Sequence, residues 1–436
     1  MANLIAPFAN AKPEEIALVD DFGETTWTDF NERVNQLVHA LRDKGLKTGD
    51  AFAVVSGNRR EYFEAFAAAA HGGWLLVPVN WHLVAKEVAY ILADSGSKAL
   101  LVDSRFVELA EATMLQPERP NLDVVVIMGT EADTFADETE QAVSYEAFLS
   151  EQATAEPEDQ LLGGPMFYTS GTTGHPKGVK SGLSQTGAPV DVLKMIGEGI
   201  SGMLGIASGG KSLLVGPVYH SAQWAFSFLP LLAGTSVVMR HKFDGEEVLR
   251  LLDQYQITNT HLVPTQFTRM LRLGDGIRKA FDGSSLGVVW HGAAPCPPQI
   301  KRRMIEWWGP VINEYYGSTE GSIVTTVSSE DWLSRPGTLG KPVAIMEILV
   351  IKEDGSHAVA GESGTLYVKN LMGSDFEYHN APEKTSDAHL EPGVFTFGDV
   401  GYLDQDGYLF MSDRKIDMII SGGVNIYPAE IEGTLI

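Results

Sequence analysis

Apolar and polar positions fall into blocks along most of the chain, with short apolar runs separated by stretches at helical spacing. The run 52–56 (Phe-Ala-Val-Val-Ser) is apolar on both faces and predicts a buried strand. The alanine-rich stretch from Glu61 to His71 predicts a helix, and 74–79 a second strand. Lys86 to Ala93 predicts a helix, 99–102 a third strand and 124–128 a fourth. Strands apolar on both faces, alternating with helices, predict parallel sheets covered on both sides. A polar, acidic stretch from Glu131 to Gly164 follows, with one helix expected around Tyr145–Leu149.

A second βα series runs from Ser212 to Tyr316, with strands expected at 213–215, 236–239, 260–263 and 287–290. Ligands of open parallel sheets gather at strand C-termini. There this reading places His220, Pro264-Thr265-Gln266, His291-Gly292-Ala293-Ala294 and Tyr315-Tyr316-Gly317. From Glu347 the pattern changes to short β runs at 348–351, 364–368 and 394–397. Asp354-Gly355 and Asp406-Gly407 supply hairpin-type turns. The expected fold is α/β: two βα-wound sheets packed in layers, at about 1–160 and 161–340, then a smaller antiparallel β subdomain at about 341–412. No internal repeat or low-complexity tract is present.

Composition narrows the partners. The 436 residues carry 32 Lys plus Arg against 57 Asp plus Glu, a formal net charge of −25. Such a field repels nucleic acid and anionic lipid, so neither is expected as a main partner. An anionic ligand must be met by local positive groups. The single cysteine, Cys296, excludes an intrachain disulfide, has no metal-ligand spacing around it, and fits a reducing cytoplasm. The N-terminus lacks the basic region of a secretory signal. The uncharged run from Ser212 to Met239 is long enough to raise a membrane span. Gly216, Pro217, His220, Gln223, Pro230 and Gly234 interrupt it, and it reads as strand, loop, helix and strand in a core.

The candidate chemistry centres on 168–179, Tyr-Thr-Ser-Gly-Thr-Thr-Gly-His-Pro-Lys-Gly-Val. Glycines let backbone N–H groups turn inward, and consecutive inward N–H groups cradle an anion. Hydroxyls add donors and Lys177 a point charge. By composition alone the stretch reads equally as a Gly/Thr surface turn. It is not a Walker A loop. Pro176 stands where that pattern needs glycine, and Gly178 follows the lysine where Ser or Thr is required.

As it stands, Ser-Gly-Thr-Thr-Gly-His-Pro-Lys-Gly resembles the signature loop of the adenylate-forming superfamily, on its acyl-CoA synthetase branch. Three further segments agree in order. Residues 313–320, Asn-Glu-Tyr-Tyr-Gly-Ser-Thr-Glu, resemble the family's Y-G-x-T-E motif. Residues 396–402 resemble its T-G-D segment, with Phe397 where many members have glycine. Residues 413–426 resemble its hinge and the strand-turn after it, with Ile416 where Lys or Asp is frequent.

The resemblance implies a large AMP-binding domain over 1–412, with 413–436 as hinge and start of a C-terminal domain. It implies ATP and Mg²⁺ as cofactors and CoA as co-substrate. Thr169, Ser170, Gly171, Thr172, Thr173, Gly174 and Lys177 would hold the β- and γ-phosphates. Tyr316 would stack on adenine, Thr319 meet the α-phosphate and Glu320 hold Mg²⁺. Tyr315, Gly317, Ser318, Gly292, Ala293 and Ala294 would line the nucleotide, Asp399 accept the ribose hydroxyls and Arg414 touch ribose or phosphates. Gly422 and Gly423 would lie on the CoA side. Taken alone, Tyr316 reads as core, Glu320 as solvated surface and Asp399 as a turn aspartate.

The family's C-terminal lysine, near a P-x-T-x-x-G-K pattern, finds no match after Arg414. The chain is therefore expected to bind ATP or acyl-adenylate but to be slow in adenylation and slower in thioester formation. The absence of Asp or Glu between Ser212 and Lys242 disfavours an amino acid as substrate, because an uncompensated ammonium there would be costly. The segment 219–228 matches the acyl-pocket segment of acyl-CoA synthetases. His220 would gate the carboxylate end, and Gln223, Trp224, Phe228 and Thr265 would line the pocket. By itself His220 reads equally as a hydrogen-bonded core histidine. A medium- or long-chain fatty acid is the expected substrate. The alternatives are a fatty acyl-AMP ligase serving a carrier protein and a nucleotide- or acyl-binding pseudoenzyme. A homodimer stays open.

Overall fold

The computed structural model describes residues 4–129, 142–169, 175–414, 419–421 and 424–426, with side chains through Met411. The chain divides into two compact units, Met1–Phe243 and Asp244–Ile436.

In the first unit, a six-stranded parallel sheet has the order β7-β6-β5-β3-β4-β8. Its strands are β3 (Ala51–Val55), β4 (Leu75–Val79), β5 (Ser97–Asp103), β6 (Val124–Met128), β7 (Ala142–Ser144) and β8 (Gly164–Pro165). Side chains alternate faces along a strand. Phe52 and Val54 enter one apolar cluster, whereas Ala51, Ala53 and Val55 enter another on the opposite face. Both faces are dry, as their unbroken apolar runs required. The helix Arg60–Gly72 is buried along nearly its whole length, its alanines allowing close approach, and it ends on Gly73 at φ 77. The helix Trp27–Asp43 starts on Thr26, whose side chain accepts from the Asp29 amide. Glu64, 1% exposed, ties these two helices together by accepting from Arg33 Nε at 2.8 Å and from Tyr145 Oη at 2.7 Å.

A second sheet in this unit contains β1 (Ile16–Val19), β2 (Glu24–Thr26), β11 (Lys211–Leu214) and β12 (Ser236–Met239). β1 runs parallel to β12 and antiparallel to β2, and β11 runs parallel to β12. The expected division near residue 160 is thus crossed in both directions, since β1 joins β12 and β8 joins β4. Residues 164–169 are divided between two sheets. β8 completes the parallel sheet, while β9 (Phe167–Thr169) pairs antiparallel with β10 (Lys177–Lys180). The uncharged run 212–239 is strand, two short helices (Ser221–Ala225 and Phe228–Leu232) and strand. Among the described residues, no helix is long and apolar enough to cross a membrane.

In the second unit, β13 (Asn259–Leu262), β14 (Val288–His291) and β15 (Ile312–Ser318) are parallel. β16 (Ser322–Val327) and β17 (Lys341–Pro342) extend them antiparallel. Beyond lies an antiparallel sheet of β18 (Met346–Ile351), β19 (Gly364–Asn370), β21 (His389–Glu391), β22 (Val394–Leu403) and β23 (Leu409–Arg414), with a two-residue β20 at Glu377–Tyr378 between β19 and β21 in the chain. Asp406-Gly407 turns β22 into β23, with Gly407 at φ 81. Ile419–Ser421 and Val424–Ile426 pair as a hairpin. The chain is α/β, with parallel sheets and an antiparallel β subdomain, as its periodicity indicated.

Candidate active site

The two strands flanking the glycine-rich stretch form a hairpin with a fixed register: Thr169 opposes Lys177 and Tyr168 opposes Gly178. Directly opposed residues on antiparallel strands share a face. Thr169 and Lys177 therefore stand side by side. Ser170, Gly171, Thr172, Thr173 and Gly174 lie outside the described residues.

Further along this unit, His220 is exposed and leads into the helix Ser221–Ala225. Its ring lies 4.6 Å from that of Tyr219. Gln223 is buried, and a Cβ on Gly216 would come within 2.2 Å of its amide. Trp224 and Phe228 are each 1% exposed. Their rings pack on each other at 5.6 Å, and Trp224 also meets Phe66 and Phe167. The sequence put both on a pocket wall, but the structure gives them to the aromatic core. Thr265, in the second unit, is exposed in the first turn of the helix Pro264–Leu271.

In the second unit the C-terminal ends of β13 and β14 lie in register with the first half of β15, Leu262 beside His291 and His291 beside Glu314. A buried polar layer forms there. His261 Nε2 lies 3.1 Å from Tyr315 Oη. Lys301 Nζ donates to Glu314 Oε2 at 2.7 Å, and His291 Nε2 is 3.6 Å from the same oxygen. Burial pushes the Glu314 carboxyl up and the Lys301 ammonium down, while each partner's charge pulls the other way. Burial also holds His261 at about 3 and His291 well below the usual imidazole value. Both rings are neutral.

Above this layer, backbone geometry is demanding. Ala293, next to Gly292, holds φ +64, a left-handed conformation that non-glycine residues seldom adopt and that concentrates at functional sites. A Cβ on Gly292 would sit 2.6 Å from the Tyr315 ring, so only glycine fits. Ala293 and Ala294 are exposed. A Cβ on Gly317 would meet the Ser322 carbonyl oxygen at 1.9 Å. Gly317→Ala is expected to cost about 1–3 kcal/mol or more, because backbone would have to move. Urea unfolding measures the loss, and an unchanged midpoint would refute this reading of the β15–β16 turn.

That turn is built for its side chains. Ser318 Oγ accepts from the amides of Glu320 and Gly321, each at 3.1 Å. Thr319 and Glu320 are half-buried. Tyr378 Oη donates to Glu320 Oε1 at 3.0 Å. Glu320 suits a hard cation: Mg²⁺ takes oxygen donors, commonly one or two carboxylates together with substrate phosphates. Tyr316 Oη donates to Asp399 Oδ2 at 2.6 Å across 83 residues of sequence, and the Tyr316 ring lies 6.1 Å from Phe397. Asp399 is 3% exposed and opposes Arg414 in the β22–β23 pair. The Arg414 side chain, Gly422 and Gly423 lie outside the described residues.

Sequence reasoning missed Lys301, Tyr378 and Asp94. Lys301 and Glu314 are on different elements, and neither carries a local sign of pairing. Tyr378 sits in a two-residue strand. The contact of Tyr168 with Asp94 links positions 74 residues apart.

The signature-loop sequence, the Y-G-x-T-E turn and the α/β scaffold mark the class of adenylate-forming enzymes. The chain belongs to the AMP-binding enzyme family, whose model matches residues 6–372. It is 31% identical over 435 residues to indoleacetate–CoA ligase of Aromatoleum aromaticum, covering 98% of this chain and 81% of the relative. It is 29% identical over 418 residues to long-chain-fatty-acid–CoA ligase FadD13 of Mycobacterium tuberculosis, covering 94% and 77%. Among solved structures, o-succinylbenzoate coenzyme A synthetase of Bacillus subtilis with ATP and magnesium matches with TM-score 0.82 and 27% identity, covering 100% and 84%. AMP-forming acid–thiol ligases of this class use ATP, Mg²⁺ and CoA.

Proposed function

We propose that this protein activates a hydrophobic carboxylic acid with ATP and passes the acyl group to CoA, with a medium- or long-chain fatty acid as first candidate and an aryl acid as second. The observation that carries the nucleotide reading is the Tyr316–Asp399 hydrogen bond. It joins two separate motifs, an aromatic face and a buried carboxylate, in one place. Lys177 and Thr169, side by side on their hairpin, suit the β- and γ-phosphates. Tyr316 offers its ring to the adenine, and Asp399 accepts from ribose hydroxyls.

In the first half-reaction a substrate carboxylate oxygen bonds to the α-phosphorus. The bond from that phosphorus to the bridging oxygen breaks, and pyrophosphate leaves with the electron pair. In the second, a thiol sulfur bonds to the acyl carbon as the carbon–oxygen bond to AMP breaks, its proton passing to solvent. The protein's part is positioning and charge neutralisation. Thr319 orients the α-phosphate and Lys177 offsets charge on the departing pyrophosphate; Glu320 would hold Mg²⁺, which would supply neutralisation of phosphate charge. His220, exposed beside Tyr219, would meet the carboxylate end. The uncharged 212–239 segment supports an apolar acid over an amino acid.

ATP–pyrophosphate exchange with a panel of fatty, aryl and amino acids tests this. Exchange is expected with apolar acids, and Lys177→Ala should lower it by roughly 100-fold, the scale of removing one charged transition-state donor. No exchange with any acid, or exchange indifferent to Lys177→Ala, would refute the proposal.

A further inference from the structure

One face of the helix Ala85–Ser95 touches the chain on both sides of the glycine-rich stretch. Tyr90 and Asp94 are four residues apart, so they lie on the same helical face. Asp94 Oδ2 accepts from Tyr168 Oη at 2.7 Å, in the strand that leads into the stretch. The Tyr90 ring stacks on His175, just after it, with centroids 4.4 Å apart and planes at 22°. The helix is itself firmly seated. Val88, Ala89, Ile91 and Leu92 are buried, and it ends on Gly96 at φ 64. The rings of Tyr90 and Tyr168 pack on the same apolar cluster.

Hairpin register turns this grip into aim. Successive side chains along a strand alternate faces, and opposed residues share one. Tyr168 goes to the helix side, and Gly178 opposite it presents no side chain to obstruct the ring. Thr169 and Lys177 therefore go together to the other side. Whatever holds the Tyr168 ring also fixes the direction of that hydroxyl and that ammonium.

We propose that Tyr90 and Asp94 are positioning residues for polyphosphate binding, holding Thr169 and Lys177 in the geometry ATP requires. The inference rests on the ATP reading above and deepens it. Neither residue touches the ligand. The Tyr168 phenol keeps its proton at working pH, because burial and then the bond to Asp94 push its pKa up, so the link persists.

The test is calorimetric titration of ATP with Mg²⁺, and of AMP in parallel, into the wild-type chain and variants. Tyr168→Phe deletes one oxygen and keeps the ring. Tyr168→Phe and Asp94→Ala are each expected to weaken ATP binding about tenfold, the scale of a hydrogen bond to a charged group, while AMP binding changes less than about twofold. The double variant should be no weaker than the worse single, since both remove one link. Asp94→Asn, which keeps an acceptor, should recover most of the affinity. ATP affinity unchanged in Tyr168→Phe, with Lys177→Ala still weakened, would overturn the inference and leave the ATP reading standing. Equal losses for ATP and AMP, tracking a lowered melting temperature, would show a structural role only and also overturn it. A wild-type chain that binds no ATP would overturn both. Should Asp94→Ala fail to fold, Tyr168→Phe decides alone.

Discussion

Lys301→Met is expected to destabilise the second unit by about 3–5 kcal/mol, because removing one partner of a buried ion pair strands the other charge. Lys301 is 0% exposed, and its ammonium has Glu314 at 2.7 Å and the Trp332 ring at 4.8 Å. Glu314, already pushed toward its neutral form by burial, would take up a proton, which limits the loss. Changing both residues together, Lys301→Met with Glu314→Leu, should restore most of the stability, since no charge is then stranded. Equilibrium unfolding in urea measures both. A single-variant loss under about 1 kcal/mol, the value of an exposed pair, would show that the pair is solvated. The cost bears on the site as well. Glu314 immediately precedes Tyr315 and Tyr316 in β15, so the ion pair sets the strand on which both tyrosines are presented.

Acid should unfold the protein well before its carboxylates titrate. Burial holds His71 at about 4 and His261 at about 3, against an ordinary value of 6.5. The unfolded chain therefore takes up these protons first. Their contribution to stability is whole above pH 6.5 and drains as pH falls toward the folded values. By pH 5 each histidine should have removed about 2 kcal/mol, His71 from the first unit and His261 from the second. Urea midpoints at pH 7.5 and pH 5 measure the effect. Among the described residues, neither ring nitrogen of His71 has a hydrogen-bond partner. His71→Leu should therefore raise stability by about 1–3 kcal/mol as well as flatten the pH slope of the first unit. A slope unchanged by His71→Leu would show that other groups carry the acid sensitivity.

The parallel core was legible because its signal is local. The strands at 51–55, 75–79 and 124–128 are continuous apolar runs, and the helices between them carry alanine or apolar spacing. The antiparallel region was legible for the same reason, through short β runs and Asp-Gly turns. Pairing over long distances was not. Nothing within 16–26 says that this hairpin joins a strand at 236–239 in place of its neighbours at 51–55. The site divides the same way. Motif positions such as Tyr316 and Asp399 could be named in advance, and the structure puts their side chains in contact. Lys301, Tyr378 and Asp94 could not, because their importance comes only from what the fold places beside them. Trp224 and Phe228 show the reverse error. Aromatic residues near a predicted pocket look like its lining, yet the interior they fill needs rings of that size.

The pairing of β1 with β12 also has a cost in time. Ser236 donates its hydroxyl to the Ile16 carbonyl oxygen at 2.6 Å, a contact 220 residues long in sequence. Loop closure on that scale is slow, and during synthesis the first strand emerges long before its partner exists. Until Ser236–Met239 has been made, Ile16–Val19 can pair only with Glu24–Thr26, and its other edge waits open on the nascent chain. Relocating the first 26 residues to follow residue 243 would shorten that wait.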